Sequence, residues 1–302
     1  MNTRLLHKPW VRELYLPFEA ISRLIPDELY LKLIYRIRMG KKLNLKEPQT
    51  YNEKLQWIKL YDRKPIYTTM VDKYEVKKYV ADIIGEQYII PTLGVWNHFD
   101  EIDFTTLPDQ FVLKCTHDSG GLVIVKDKDS FDRKAARKKI EQSLKRNFYW
   151  KGREWPYKAV KPRIIAEKYI EDSMSHDLKD YKIFTFNGAV KMLFIATERN
   201  DINSETKFDF FDSEFNNLPF TNGHPNACKM PNKPEKFDTM KMLAEKLSAG
   251  IPQLRVDFYE VNGNVLFGEL TLFHWSGMEP FDPPSWDRII GDWIELPKDN
   301  NT

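Results

Sequence analysis

The chain alternates short β-branched and aromatic runs with turn signals, and only a few stretches carry the three-to-four spacing of an amphipathic helix. The clearest pattern runs from Leu254 to Gly277, where two such runs flank Asn262-Gly263, a strong hairpin signal. Strand side chains alternate in direction, so Arg255 shares a face with Asp257, and Glu269 shares one with Thr271. A strict two-residue turn pairs Asp257 with Gly268 and sends Glu269 to the other face. The two acids meet only if the loop holds an odd number of residues or a bulge intervenes, for which Gly263 and Asn264 are the candidates. Met, the pair would suit Mg²⁺, which binds one or two carboxylates plus substrate phosphates. Unmet, the stretch is a half-solvated hairpin with outward acids, and the pattern leaves both readings open.

The same grammar divides the rest of the chain. Phe111–Cys115 and Leu122–Val125 are predicted strands around His117-Asp118-Ser119-Gly120-Gly121, a small-residue loop whose backbone N–H groups could approach phosphate. Lys114 interrupts the first of these strands, an odd place for an ammonium without an anionic partner. A second Asn-Gly hairpin spans Tyr181–Lys191 and carries Lys182 in its first run. Residues 163–172 predict a strand ending in Glu171 and Asp172, and 88–91 a short one. Helices are predicted over 54–61 behind a Thr50/Glu53 capping box, 73–84, 130–147 and 237–250. Residues 149–156 form an aromatic, cationic loop around Arg153, expected to act as a mobile cover over substrate.

Composition narrows the class. With 302 residues, 42% hydrophobic and 14% aromatic, the chain can fill a sizeable core, and a formal charge of +2 implies no general affinity for polyanions such as nucleic acid. Two cysteines, Cys115 and Cys228, are too few for a disulfide framework or a zinc cluster and fit a reducing cytoplasm. No apolar run approaches the ~18 residues of a spanning helix, and no signal peptide opens the sequence. Residues 1–48 carry ten Lys or Arg against five Asp or Glu, with apolar faces through Trp10, Leu14, Phe18 and Ile21. Such a segment either packs on its own domain or lies peripherally on an anionic membrane surface.

Several words of the sequence, taken together, resemble the TupA-like branch of the ATP-grasp superfamily, named after a teichuronopeptide biosynthesis protein. They are Tyr51-Asn-Glu-Lys-Leu-Gln-Trp57, Val71-Asp-Lys-Tyr-Glu75, Phe111-Val-Leu-Lys-Cys115 with Ser119-Gly-Gly121, Gly152-Arg-Glu-Trp-Pro156, Ile165-Ala-Glu-Lys-Tyr169, Asp180-Tyr-Lys-Ile-Phe184, and Arg255-Val-Asp257 with Gly268-Glu-Leu-Thr271. The resemblance covers about residues 49–294. It implies an α+β fold in which two subdomains, 111–172 and 173–302, sandwich ATP, preceded by an α/β region over 49–110 and the basic helical segment 1–48.

By the same resemblance, Lys73, Lys114 and Lys182 contact ATP phosphates, with Ser119, Gly120 and Gly121 in the phosphate loop. Glu167, Lys168, Tyr169 and Ile170 form the adenine hinge, and Glu171 or Asp172 holds the ribose. Asp257 and Glu269 are the Mg²⁺ carboxylates, with Thr271 where relatives usually carry Asn. Arg255, with Lys182 and Lys114, serves catalysis, and Arg153, His274, Ser276 and Gly277 face substrate. The implied reaction is an ADP-forming carboxylate–amine ligation through an acyl phosphate. The implied setting is cytoplasmic cell-surface polysaccharide biosynthesis, joining an amino acid or other amine to a uronic acid or its lipid-linked precursor. Two rivals differ in class: a glycosyltransferase using nucleotide sugars through Asp127 and Asp129, and a non-catalytic ATP-binding assembly partner.

Overall fold

Two α-helices begin at a side-chain cap, one behind Thr50 and one behind Asp132. The computed structural model describes residues 22–173, 178–198 and 205–297. Residues 1–21, which hold most of the expected basic lead segment and its membrane-facing face, lie outside the described residues. Helix α1 (Asp27–Met39) stops at Gly40 in the left-handed conformation, and α2 (Tyr51–Tyr61) opens with the expected box. There the Glu53 N–H donates to Thr50 Oγ1 and the Thr50 N–H to Glu53 Oε2. Helices α3 (Ile66–Val71) and α4 (Glu75–Ile84) follow, and α4 buries Val76, Val80 and Ile84 along one stripe.

The strand expected at 88–91 forms later, as β1 (Thr92–Trp96), after a 3₁₀ turn at Glu86–Tyr88. Pro91 has no N–H to give a ladder, so regular pairing starts beyond it. β1 pairs with β4 (Ile164–Lys168), which pairs with β2 (Phe111–Cys115), which pairs with β3 (Leu122–Val125). This antiparallel four-stranded sheet therefore takes its edge strand from the 49–110 region. Helix α5 (Arg133–Leu144) covers one face, packing Ala136 and Ile140 against Phe111 and Leu113 and leaving its basic positions to solvent.

Residues 149–156 depart from the expected mobile loop. They form a helical turn, α6 (Tyr149–Gly152), and the start of a 3₁₀ segment, with Arg153 only 1% exposed. Its guanidinium donates to the Ser22 carbonyl and lies over the rings of Tyr30, Tyr149 and Trp150. A cation caged by three rings is an internal anchor.

The second sheet holds five antiparallel strands in the order β10-β9-β5-β6-β7. β5 (Asp180–Phe186) and β6 (Ala189–Thr197) turn at Asn187-Gly188, and β7 (Lys207–Asp212) takes the far edge. β8 (Thr221–Asn222) makes a two-stranded patch with β11 (Phe281–Asp282). Helix α7 (Phe237–Leu247) packs on the face that buries Leu254, Val256 and Phe258 of β9 (Gln253–Val261). β10 (Asn264–Thr271) follows the turn, where Asn262 and Gly263 have φ of 51° and 74° as a tight hairpin demands. Helix α8 (Ser285–Asp292) closes the chain against α2. The architecture is α+β, as expected, with a cleft between the two sheets.

Candidate active site

The late hairpin resolves its register at Gly268. From Asn264 to Phe267 the strands pair as a strict two-residue turn requires, with Phe267 opposite Phe258. Gly268 is then passed over, and Glu269 stands opposite Asp257. The bulge expected near Gly263 or Asn264 thus lies further along, at the one glycine of β10. A Cβ on Gly268 would come within 3.1 Å of both the Asp257 carbonyl and the Tyr259 ring, a close approach that favours glycine there.

This shift gathers charge on one face. Arg255 forks onto Asp257, Nε to Oδ1 at 2.6 Å and Nη2 to Oδ2 at 2.7 Å, and Nη2 also reaches Glu269 Oε1 at 2.8 Å. Across β5 the register sets Lys182 opposite Asp257, and its ammonium bonds to Asp257 and, at 2.6 Å, to Asp180. Asp257 is 1% exposed, so the outward-acid reading does not hold for it. Burial alone would raise the Glu269 carboxyl, but Arg255, Lys73, Lys182 and Lys114 overcome it and hold the group down at about 2. Thr271 Oγ1 donates to Glu269 at 3.3 Å.

His274 completes the cluster from behind. It is 4% exposed, and burial beside Arg255 and Lys182 pushes its pKa well below the ordinary histidine value. Arg255 can only donate, so its contact with His274 Nδ1 at 2.9 Å puts the imidazole proton on Nε2, which faces Asn222 Oδ1 at 3.2 Å. The next residues, Trp275, Ser276 and Gly277, all have positive φ (50°, 57° and 58°). Buried Lys59 pins this turn, donating to Ser276 O at 2.7 Å, Ser276 Oγ at 2.8 Å and Gly152 O at 2.8 Å. Gln56 adds a bond to Gly277 O at 2.7 Å.

The opposing sheet brings a second set of charges. Lys114 lies 2.5 Å from Glu167, which is 4% exposed, and Lys77 lies 2.5 Å from the same carboxylate. Lys73 donates to the Asp118 carbonyl at 2.7 Å. These groups, with Ser119 and Gly121, line the same cleft of about 240 Å³ as Lys182, Asp257 and Glu269. In the 118–121 loop the N–H groups of Gly120 and Gly121 donate to Asp118 Oδ1 rather than pointing at the cleft. Gly121 also leaves room that a Cβ would lose, at 2.5 Å from Cys115 Sγ.

Other expected site residues fall elsewhere. Lys168 ends β4 opposite Phe111, and Tyr169 through Asp172 form the connection out of the four-stranded sheet. There Glu171 pairs with Lys126 at 3.4 Å, and Asp172 accepts from the Asn262 N–H at the hairpin tip. Arg153 does not line the cleft, and Ser276 and Gly277 meet it only through the His274 turn. Asp127 and Asp129, the acids of the glycosyltransferase rival, sit in an exposed turn where the Asp129 N–H donates to Asp127.

Sequence reasoning missed Lys77, Asp180, Asn222 and Lys59. Two signals were available: Lys77 falls one helical turn after Lys73, and Asp180 lies two residues before Lys182 on the same strand face. Asn222 and Lys59 offered none.

A model of the TupA-like ATP-grasp family matches residues 53–295. The chain belongs to the TupA-like ATP-grasp family. Among solved structures it is similar to an L-amino acid ligase from Bacillus licheniformis (13% identity, 84% of this chain and 57% of that one, TM-score 0.47). It is also similar to the D-alanine–D-alanine ligase of Helicobacter pylori (16% identity, 82% and 69%, TM-score 0.44). A third is the ATP-grasp ligase PsnB, solved with its minimal precursor, Mg and ADP (12% identity, 73% and 57%, TM-score 0.40). The chain spans little more than half the length of the first and last of these. No curated protein sequence matches it.

The nucleotide and magnesium that the resemblance implies can be tested against the donor chemistry of the cleft. Among the described residues no group of three or more His, Cys, Asp or Glu is arranged to hold a metal alone. Two carboxylates on one strand pair, facing three lysines, are the donor set of an ion that takes its remaining ligands from phosphate. The residues fit.

Proposed function

We propose that this TupA-like ATP-grasp protein is an ADP-forming carboxylate–amine ligase. The observation that carries the reading is the ion cluster in which Arg255 spans Asp257 and Glu269 beside Lys182. Phosphoryl transfer from ATP to a carboxylate brings anions together, and fixed cations aimed at that point lower its barrier. Asp257 and Glu269, with Thr271 beside them, would hold Mg²⁺, which when bound neutralises phosphate charge.

In this reading Lys73, Lys114 and Lys182 attract the triphosphate. The base lies against Glu167 and the backbone of Tyr169 and Ile170, with Ser119 and Gly121 near the phosphates. Arg255 faces the acyl phosphate and steadies the oxyanion formed when an amine attacks. His274, held neutral, keeps that guanidinium in place while leaving its charge undiluted. A pure binder would have no use for a buried arginine braced on both faces, which favours catalysis over a non-catalytic assembly role.

For substrates we propose an amino acid or other amine and a uronic acid, free or on a lipid-linked saccharide, in a cytoplasmic polysaccharide pathway. The family resemblance supports this. So does Trp275, 40% exposed beside His274 and packed over Phe208, an aromatic surface of the kind a sugar ring can cover. No helix of the described residues is long and apolar enough to cross a membrane.

The test is an ADP-release screen across amino acids and uronic acids, with Asp257→Asn as control. ADP release requiring both partners and lost in the control is expected. Release by neither partner, or an undiminished control, sinks the reading.

A further inference from the structure

Glu167 is shared between two ammonium groups that differ in freedom. Lys77 Nζ sits 2.5 Å from one carboxylate oxygen and donates to the Ile90 carbonyl at 2.6 Å, and its side chain is 11% exposed. Lys114 Nζ sits 2.5 Å from the other oxygen, and its side chain is 21% exposed. Both lysines line the cleft, but of the two only Lys77 is also tied to a backbone carbonyl among the described residues. Lys77 stands on α4 between the buried Val76 and Val80, so its stem is packed. Lys114 is on β2, whose neighbour β4 carries Glu167.

Two cations on one carboxylate leave one positive charge over, and the question is which cation is free to go. A buried carboxylate stripped of its only partner is strongly penalised, whereas one that keeps a partner is not. With Lys77 present, Lys114 can exchange Glu167 for another anion and leave an intact buried pair behind. Without Lys77, the same movement strands Glu167 in the interior.

We propose that Lys77 is a positioning residue: it serves as the permanent counter-ion of Glu167 and thereby releases Lys114 to a nucleotide phosphate. The inference rests on the ATP-site reading, and its logic is a coupling. Lys77 acts through Glu167, so it should matter only while Glu167 is charged.

The experiment titrates the full chain with a fluorescent N-methylanthraniloyl ATP analogue and magnesium, in the wild type, Lys77→Met, Glu167→Gln and the double variant. Lys77→Met alone is expected to weaken binding at least tenfold, and Lys77→Arg to restore most of it. In the Glu167→Gln background the same Lys77→Met change is expected to shift affinity less than about twofold. An equal loss in both backgrounds would mean that Lys77 touches the nucleotide directly, and no loss in either would mean that it does nothing; both overturn the proposal. Should Lys77→Met fail to fold, the Glu167→Gln pair still decides, since a tenfold gap within it rejects the coupling. Absence of binding by the wild type instead defeats the ATP-site reading itself.

Discussion

Glu269 faces Asp257 across the hairpin because Gly268 between them has no partner of its own. One unpaired glycine turns two acids that would lie on opposite faces into a single anionic edge. Gly268→Val is expected to destabilise the fold by about 1–3 kcal/mol through crowding of Tyr259 and the facing backbone. It should also lower ATP turnover more than a remote substitution of equal cost. Urea unfolding beside ADP release would separate the two effects.

Asp257 balances Arg255 and Lys182 at once. Asp257→Asn leaves Arg255 with Glu269 and Lys182 with Asp180, so the stability cost should fall below the about 3–5 kcal/mol of a buried charge left with no partner. Turnover is expected to fall at least about a hundredfold, the scale of losing one preorganised charge at a reacting centre. Steady-state ADP release with the substrate pair from the screen reads this directly.

His274 gives the protein an acid-side dependence whose sign is fixed. Its folded pKa lies well below the ordinary 6.5, so below pH 6.5 the unfolded chain takes up a proton that the folded chain refuses. Stability therefore rises with pH through this range and falls as pH drops, by up to about 1.4 kcal/mol per pH unit. Denaturant midpoints between pH 7 and 5 should fall more steeply in the wild type than in His274→Gln. Parallel slopes would contradict the assignment.

Lys59 bonds to both oxygens of Ser276 in a turn whose backbone is strained. Lys59→Met strips the donor from the Gly152 carbonyl, at about 1–3 kcal/mol, while Ser276 O keeps its bond from Gln56 Nε2 at 3.1 Å. A loss of at least about 1 kcal/mol is expected, measured by chemical unfolding, with a changed fluorescence of Trp275 as the turn relaxes.

Asp127 offers a contrast. It is exposed and away from the cleft, so Asp127→Asn should leave ATP-dependent ADP release unchanged. A large loss would revive the nucleotide-sugar transferase reading.

Much of this was legible along the chain. Asn-Gly turns, strand alternation and the Thr50/Glu53 cap depend on neighbours within a few residues, and local sterics decide them. The two interrupting lysines, Lys114 and Lys182, announced their anionic partners, because an ammonium inside an apolar strand needs one. The partners themselves were less legible. Glu167, expected at the base, also holds Lys114, and Arg153, expected at substrate, is caged by the rings of Tyr30, Tyr149 and Trp150.

Sequence by itself determined the α+β grammar, the hairpins and the charged positions, since each follows from the periodicity of a single element. Only the tertiary structure decided where the bulge falls, which acid each lysine meets, and that α2 reaches across to pin the turn after the hairpin. Those are contacts between elements remote in sequence. They are settled by packing and by the demand that every buried charge find its opposite, and no local pattern records either.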